Sequence, residues 1–88
     1  MTDSFVINYI NNKLAQTSDI NYIRYTFYEL RVKNNLSEND LDKFLEINKN
    51  YFENKGYNVY FTGARFTYKN ANITVQPNEI MIAVKEDK

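Results

Sequence analysis

The chain has no cysteine, no histidine and no tryptophan, only two glycines and one proline, and no excess of either charge, with 11 Lys+Arg against 11 Asp+Glu. Each absence excludes something. Without cysteine there is no disulfide framework and no thiolate metal site, which fits a reducing compartment. Without histidine or cysteine, nucleophilic triads, imidazole acid–base chemistry and most transition-metal sites lack their usual parts. Gly56 and Gly63 are the only glycines, so no glycine-rich phosphate loop can be built. No run approaches the roughly 20 apolar residues of a membrane span. Met1-Thr2-Asp3-Ser4 lacks the basic flank and apolar stretch of a secretion signal. These absences predict a cytoplasmic, non-enzymatic protein without cofactor, metal or membrane partner. The charge balance also weakens polyanion binding, because non-specific nucleic-acid affinity comes from Lys and Arg neutralising phosphates.

What is abundant is aromatic: eight Tyr and six Phe in 88 residues. A chain this short predicts a single domain over residues 1–88, whose modest core must recruit most large side chains. Frequent Asn with Ile, Lys and Tyr suggests an AT-rich genome, and Asn72-Ile73-Thr74, formally a glycosylation sequon, reads as strand sequence in a cytoplasmic setting.

The strongest local signal is Leu36-Ser37-Glu38-Asn39-Asp40-Leu41. Ser37 caps a helix, Asp40 completes a capping box, and Leu36 and Leu41 staple it. Leu41, Phe44, Leu45 and Phe52 follow the helical period up to Lys55-Gly56, a cation and a terminating glycine. Val6, Ile10 and Leu14, spaced four apart, predict another helix from about Asp3 to Ala15. Between the two, Thr17-Ser18-Asp19 offers caps for a helix with Ile20, Ile23, Phe27 and Leu30 on one stripe, ending near Asn34-Asn35. Tyr22 to Val32 is also rich in β-branched and aromatic residues, so only the period favours helix there.

After Gly56 the period becomes two, through Tyr57, Val59 and Phe61, until Gly63 interrupts. Arg65 to Lys69 and Ile73 to Gln76 flank Asn70-Ala71-Asn72 as a hairpin, with Phe66 opposite Val75 and Tyr68 opposite Ile73. Pro77-Asn78 turns into a last strand with Ile80, Ile82 and Val84 inward, and Glu86-Asp87-Lys88 should fray. The predicted class is α+β: about three N-terminal helices followed by an antiparallel sheet of three to four strands.

Two surfaces emerge from this layout. Alternation sends Tyr57, Val59, Phe61, Phe66, Tyr68, Ile80, Ile82 and Val84 toward the helices and Tyr60, Arg65, Thr67, Lys69, Thr74, Met81 and Lys85 outward. That outer face, with three cations, one tyrosine and no acid, suits stacked bases and phosphates or a protein partner, and it is equally an ordinary solvated sheet face. Arg24, Tyr28, Arg31 and Lys33 form the second candidate, unless Tyr28 packs in the core and the cations are merely solvated. Asp42 and Glu46 share a helix face that could hold a hard cation, but acids near a helix N-terminus usually serve its dipole. Helices followed by a hairpin also invite a winged-helix reading, against which stands the acidic third helix with Glu38, Asp40, Asp42, Glu46 and Glu53.

The run Ile23-Arg24-Tyr25-Thr26-Phe27-Tyr28-Glu29-Leu30-Arg31-Val32, with Asn35-Leu36-Ser37-Glu38 and Gly56-Tyr57-Asn58-Val59-Tyr60-Phe61, resembles small uncharacterised proteins of phages and mobile elements of AT-rich Gram-positive bacteria. The resemblance implies a short accessory gene whose product binds a host protein or nucleoprotein stoichiometrically, as anti-CRISPR proteins do. It carries over no functional residue. The alternative expectation is a small nucleic-acid-binding regulator, and a homodimer hiding one of these surfaces is a third.

Overall fold

A computed structural model describes residues 1–86; of the C-terminal residues expected to fray, Asp87 and Lys88 lie outside the described residues. Helix α1 (Asp3–Gln16) leads into strand β1 (Tyr22–Thr26) and a short π-helix (Tyr28–Lys33). Helix α2 (Glu38–Asn54) precedes β2 (Asn58–Phe61), β3 (Arg65–Tyr68), β4 (Ala71–Thr74) and β5 (Glu79–Val84). Two antiparallel sheets result, one of order β1-β5-β2 and the other the β3-β4 hairpin, so the class is α+β.

Local chemistry sets the two long helices. Ser37 Oγ accepts from the Asp40 N–H at 3.2 Å, as predicted, and Thr2 Oγ1, not predicted, caps α1 in the same way by accepting from the Phe5 N–H at 3.1 Å. Leu36 and Leu41 are both buried beside that cap. At the other end of α2 the chain leaves through Gly56 at φ +88°, a left-handed conformation that glycine adopts without a Cβ clash.

The predicted second helix is corrected to a strand followed by a π-helix. Ile23 and Tyr25 are fully buried at a spacing of two, while Ile20 and Phe27 of the expected helical stripe are 56 % and 39 % exposed. The competing force is tertiary. As a strand, Tyr22–Thr26 pairs with β5 from Tyr22↔Val84 to Tyr25↔Met81, satisfying the second edge of the central strand. Past Tyr25 the register shifts, so that Thr26 pairs with Glu79 and Ile80 is skipped as a bulge.

The hairpin register is also corrected, by two residues. Lys69 and Asn70, at φ 49° and 67°, form a two-residue loop, and Phe66 pairs with Ile73 and Tyr68 with Ala71. Positive φ at both central positions is the signature of the type I′ turn, whose twist matches the strands. A shift of two keeps Phe66 and Tyr68 together on one face of the hairpin, but that face, predicted to meet the helices, packs on the sheet instead, and Phe61, also predicted inward, is exposed.

Two cores lie on opposite faces of the three-stranded sheet. Ile23, Tyr25, Met81 and Ala83 pack with Val6 and Ile10 of α1 and Phe44 and Phe52 of α2. Ile82 and Val84, with Tyr22 and Tyr60 beside them, pack under Phe66, Tyr68 and Val75 of the hairpin. The segment from β2 to β5 is thus one long hairpin whose far half bends at Thr62-Gly63-Ala64 and Gln76-Pro77-Asn78 and folds back over its own sheet. Across the bend, Gly63 N–H donates to the Val75 carbonyl at 2.9 Å and Val75 N–H to the Ala64 carbonyl at 2.9 Å.

One polar residue sits in the helix-side core. Asn48 is fully buried on α2; its Nδ2 donates to the Phe44 carbonyl at 2.8 Å, and its Oδ1 has no protein partner. An unpaired buried carbonyl carries a desolvation cost that an apolar side chain of similar size avoids. Asn48→Leu is therefore expected to raise unfolding stability by about 1 kcal/mol, read as a higher urea midpoint at unchanged slope.

Candidate interaction surface

The outer sheet face predicted to be open is closed by the hairpin. Tyr60 stacks on Phe66 with ring centroids 4.4 Å apart and planes 9° from parallel, so it is half-buried against the second core and not an open platform. Met81 is fully buried on the helix side, and Ile82 and Val84, predicted to face the helices, point to the hairpin. Burial on both faces is what β5 requires: Ile80-Met81-Ile82-Ala83-Val84 is an unbroken apolar run, the pattern of a strand covered on both sides. That run was the available signal.

Arg65, Thr67 and Lys69 remain exposed, on the outside of the hairpin together with Thr74. Lys85 is exposed just past β5, its Nζ 5.6 Å from the centre of the Tyr57 ring. The first candidate set is thereby split. The hairpin packs on the sheet face opposite the helices, so it does not flank a helix as a wing flanks a reading helix.

Two carboxylates fasten the hairpin. Asp19 Oδ2 accepts from the Tyr68 hydroxyl at 2.9 Å and Oδ1 from the Asn21 N–H at 3.0 Å. Glu79 Oε1 accepts from the Gln76 N–H at 2.8 Å, and Oε2 pairs with Arg24 Nε. Arg24 therefore lies on the hairpin side of β1, apart from the other members of the second candidate set. The Asn21 N–H and then the Tyr68 hydroxyl lower the Asp19 pKa. Burial alone raises that of Glu79, but the Gln76 N–H and Arg24 together outweigh it and leave the carboxyl below its ordinary value. A depressed folded-state pKa contributes stability above the unfolded value and loses it as pH falls through the folded one. Thermal stability is therefore expected to decline below about pH 4, hairpin first, with a shallower decline in Glu79→Gln when melting is followed against pH.

Tyr28, Arg31 and Lys33 stay together on the π-helix, and all three are exposed. Tyr28 is 63 % exposed, as is Val32 beside it, so Tyr28 does not join the core. The π-helix is capped by Thr26 Oγ1, which accepts from the Glu29 N–H at 3.1 Å, and its wide turn closes with Asn34 N–H donating to the Glu29 carbonyl at 3.1 Å. Such turns are rare and frequent at functional sites. Among the described residues, neither Arg31 nor Lys33 belongs to an ion pair.

Between α1 and the π-helix lies an open cleft of about 750 Å³, lined among others by Tyr9, Lys13, Tyr28, Glu29, Lys33 and Asn34. Glu29 bridges its walls: Lys13 Nζ donates to Oε1 at 2.7 Å, and the Tyr9 hydroxyl donates to Oε2. Burial, and then the hydrogen bond to Glu29, raise the Tyr9 pKa well above the ordinary phenol value. Behind this wall Tyr25 is fully buried with its hydroxyl unpartnered, and Lys13 Nζ lies 4.7 Å from its ring centre. Burial likewise keeps the Tyr25 phenol protonated far above its usual range. The sequence reading missed this cleft, because its two walls come from segments joined only through β1.

Among the described residues no group of three or more acidic, histidine or cysteine side chains is placed to hold a metal ion, and no helix is long and apolar enough to cross a membrane. A scan against protein-family models, a search of curated proteins and a search of solved structures each return no match to this chain. The phage and mobile-element resemblance rests on the quoted runs alone.

Proposed function

We propose that this is a non-enzymatic accessory protein, of phage or mobile-element type, that acts by stoichiometric binding to a host protein or nucleoprotein through the π-helical surface of Tyr28, Arg31, Val32 and Lys33. The observation that carries the reading is the exposure of Tyr28 and Val32, each 63 %, in a chain whose other aromatic residues mostly serve two cores. Tyrosine and arginine anchors dominate the energetics of protein interfaces, and apolar neighbours exclude water around them. A sheet-face nucleic-acid reading lacks its platform, since the hairpin occupies it and Tyr60 is stacked on Phe66.

The test is capture of a partner from host lysate by the immobilised protein. Partner recovery is expected to fall strongly in Tyr28→Ala combined with Arg31→Ala, by about 2 kcal/mol or more in binding, and to persist in Arg65→Ala. Recovery of no protein above background, or equal recovery by both variants, would overturn the reading.

A further inference from the structure

We infer that the partner presents an acidic segment containing apolar side chains, and that the cleft between α1 and the π-helix receives one of its carboxylates. This inference rests on the binding surface proposed above and adds the chemistry of what it binds. The cleft is lined by Lys13 and Lys33 against the single carboxylate of Glu29. Each oxygen of that carboxylate accepts one hydrogen bond, from Lys13 and from the Tyr9 hydroxyl, and the Lys13–Glu29 ion pair cancels in charge, so the net positive charge of the cleft is that of Lys33. What remains for a ligand is a pair of donors, the ammonium of Lys33 without an ion-pair partner among the described residues and the hydroxyl of Tyr28, since the Asn34 amide already donates to the Tyr9 hydroxyl and the Glu29 carbonyl. The i→i+5 closure of a π-helix stacks Lys33 one turn from Tyr28, so a cation and an aromatic ring share the rim.

The apolar half of the recognition lies beside it. Val32 is 63 % exposed and Phe27 39 % exposed, on and next to the same short helix that carries Arg31. A carboxylate in the cleft, a second one on Arg31 and an apolar residue over Val32 and Phe27 would use each exposed group for what it binds best. Nucleic acid fits less well. It needs an extended run of cations, and among the described residues the exposed surface around the cleft supplies only Arg31 and Lys33, enough for two carboxylates of a short peptide.

The experiment selects binders from a random-peptide library on the immobilised protein and measures the enriched peptides in solution by fluorescence anisotropy, beside a labelled single-stranded oligonucleotide. Enriched peptides are expected to combine Asp or Glu with Leu, Ile or aromatic residues. Their affinity should fall about tenfold or more in Arg31→Glu and in Lys33→Glu, change little in Arg65→Glu, and drop comparably when their acids are replaced by amides. Circular dichroism melts of each variant separate lost binding from lost folding. Neutral or basic enriched peptides, affinity insensitive to Arg31 and Lys33, or oligonucleotide binding that depends on these residues would each overturn the acidic-partner inference. If lysate capture still depends on Tyr28 and Arg31 while acidic peptides fail, the surface stands and its assigned chemistry falls. If lysate capture is also indifferent to Tyr28, both fall.

Discussion

Phe44→Ala is expected to remove about half of the protein's stability. Phe44 is fully buried at the meeting point of three elements, with its ring edge-on to Tyr9 of α1 at 5.2 Å and to Tyr25 of β1 at 5.7 Å. Truncation removes both aromatic contacts and leaves a cavity that the surrounding rings, fixed by their own packing, cannot close. Such Phe→Ala changes cost about 3–5 kcal/mol, and a domain of this size has only about 5–10 to lose. A melting temperature lower by about 15 °C or more, with weakened near-ultraviolet tyrosine dichroism, would report it; a melt within a few degrees of wild type would show the core to be more adaptable than its geometry indicates.

Phe66→Ala is expected to act differently, by releasing the hairpin while the helices and the three-stranded sheet persist. Phe66 holds the smaller core: it stacks on Tyr60 at 4.4 Å and approaches Tyr22 at 6.3 Å. Its loss costs about 3 kcal/mol locally, more than a hairpin fastened otherwise by the Tyr68–Asp19 and Gln76–Glu79 hydrogen bonds and a few apolar residues can replace. Amide hydrogen exchange should show residues 65–74 losing protection while α2 keeps most of its own. Equal loss in both regions would mean that the two cores unfold as one unit.

The elements legible in the sequence are those whose determinants are local. The Ser37 cap, the Leu36–Leu41 staple and the Gly56 exit lie within a turn of the helix ends they define, so α2 could be placed closely, and α1 followed from its spacing of four. The hairpin was legible in position and in which residues share its inner face, but that face packs on the sheet rather than on the helices, and its register shifted because two short turns of similar composition compete and the Lys69-Asn70 loop won. Strand β1 was not legible. Its helical and strand readings use nearly the same residues, and the choice is made by β5, more than 50 residues away, which offers an edge to pair. The same remoteness hid the closed sheet face. Tyr28, Arg31 and Lys33 were found because neighbours on one short element stay neighbours whichever kind of turn they form, whereas Arg24 was lost to the strand and the cleft depended on a contact between α1 and the π-helix.

The central place of β5 sets the order of events during synthesis. Strands β1 and β2 never touch as ladder partners; each pairs only with β5, which follows them in the chain. Until residues 79–84 have cleared the ribosome, both strands and the floors of both cores wait without a partner. Helices α1 and α2 can form as they emerge, but the sheet closes in a single late step.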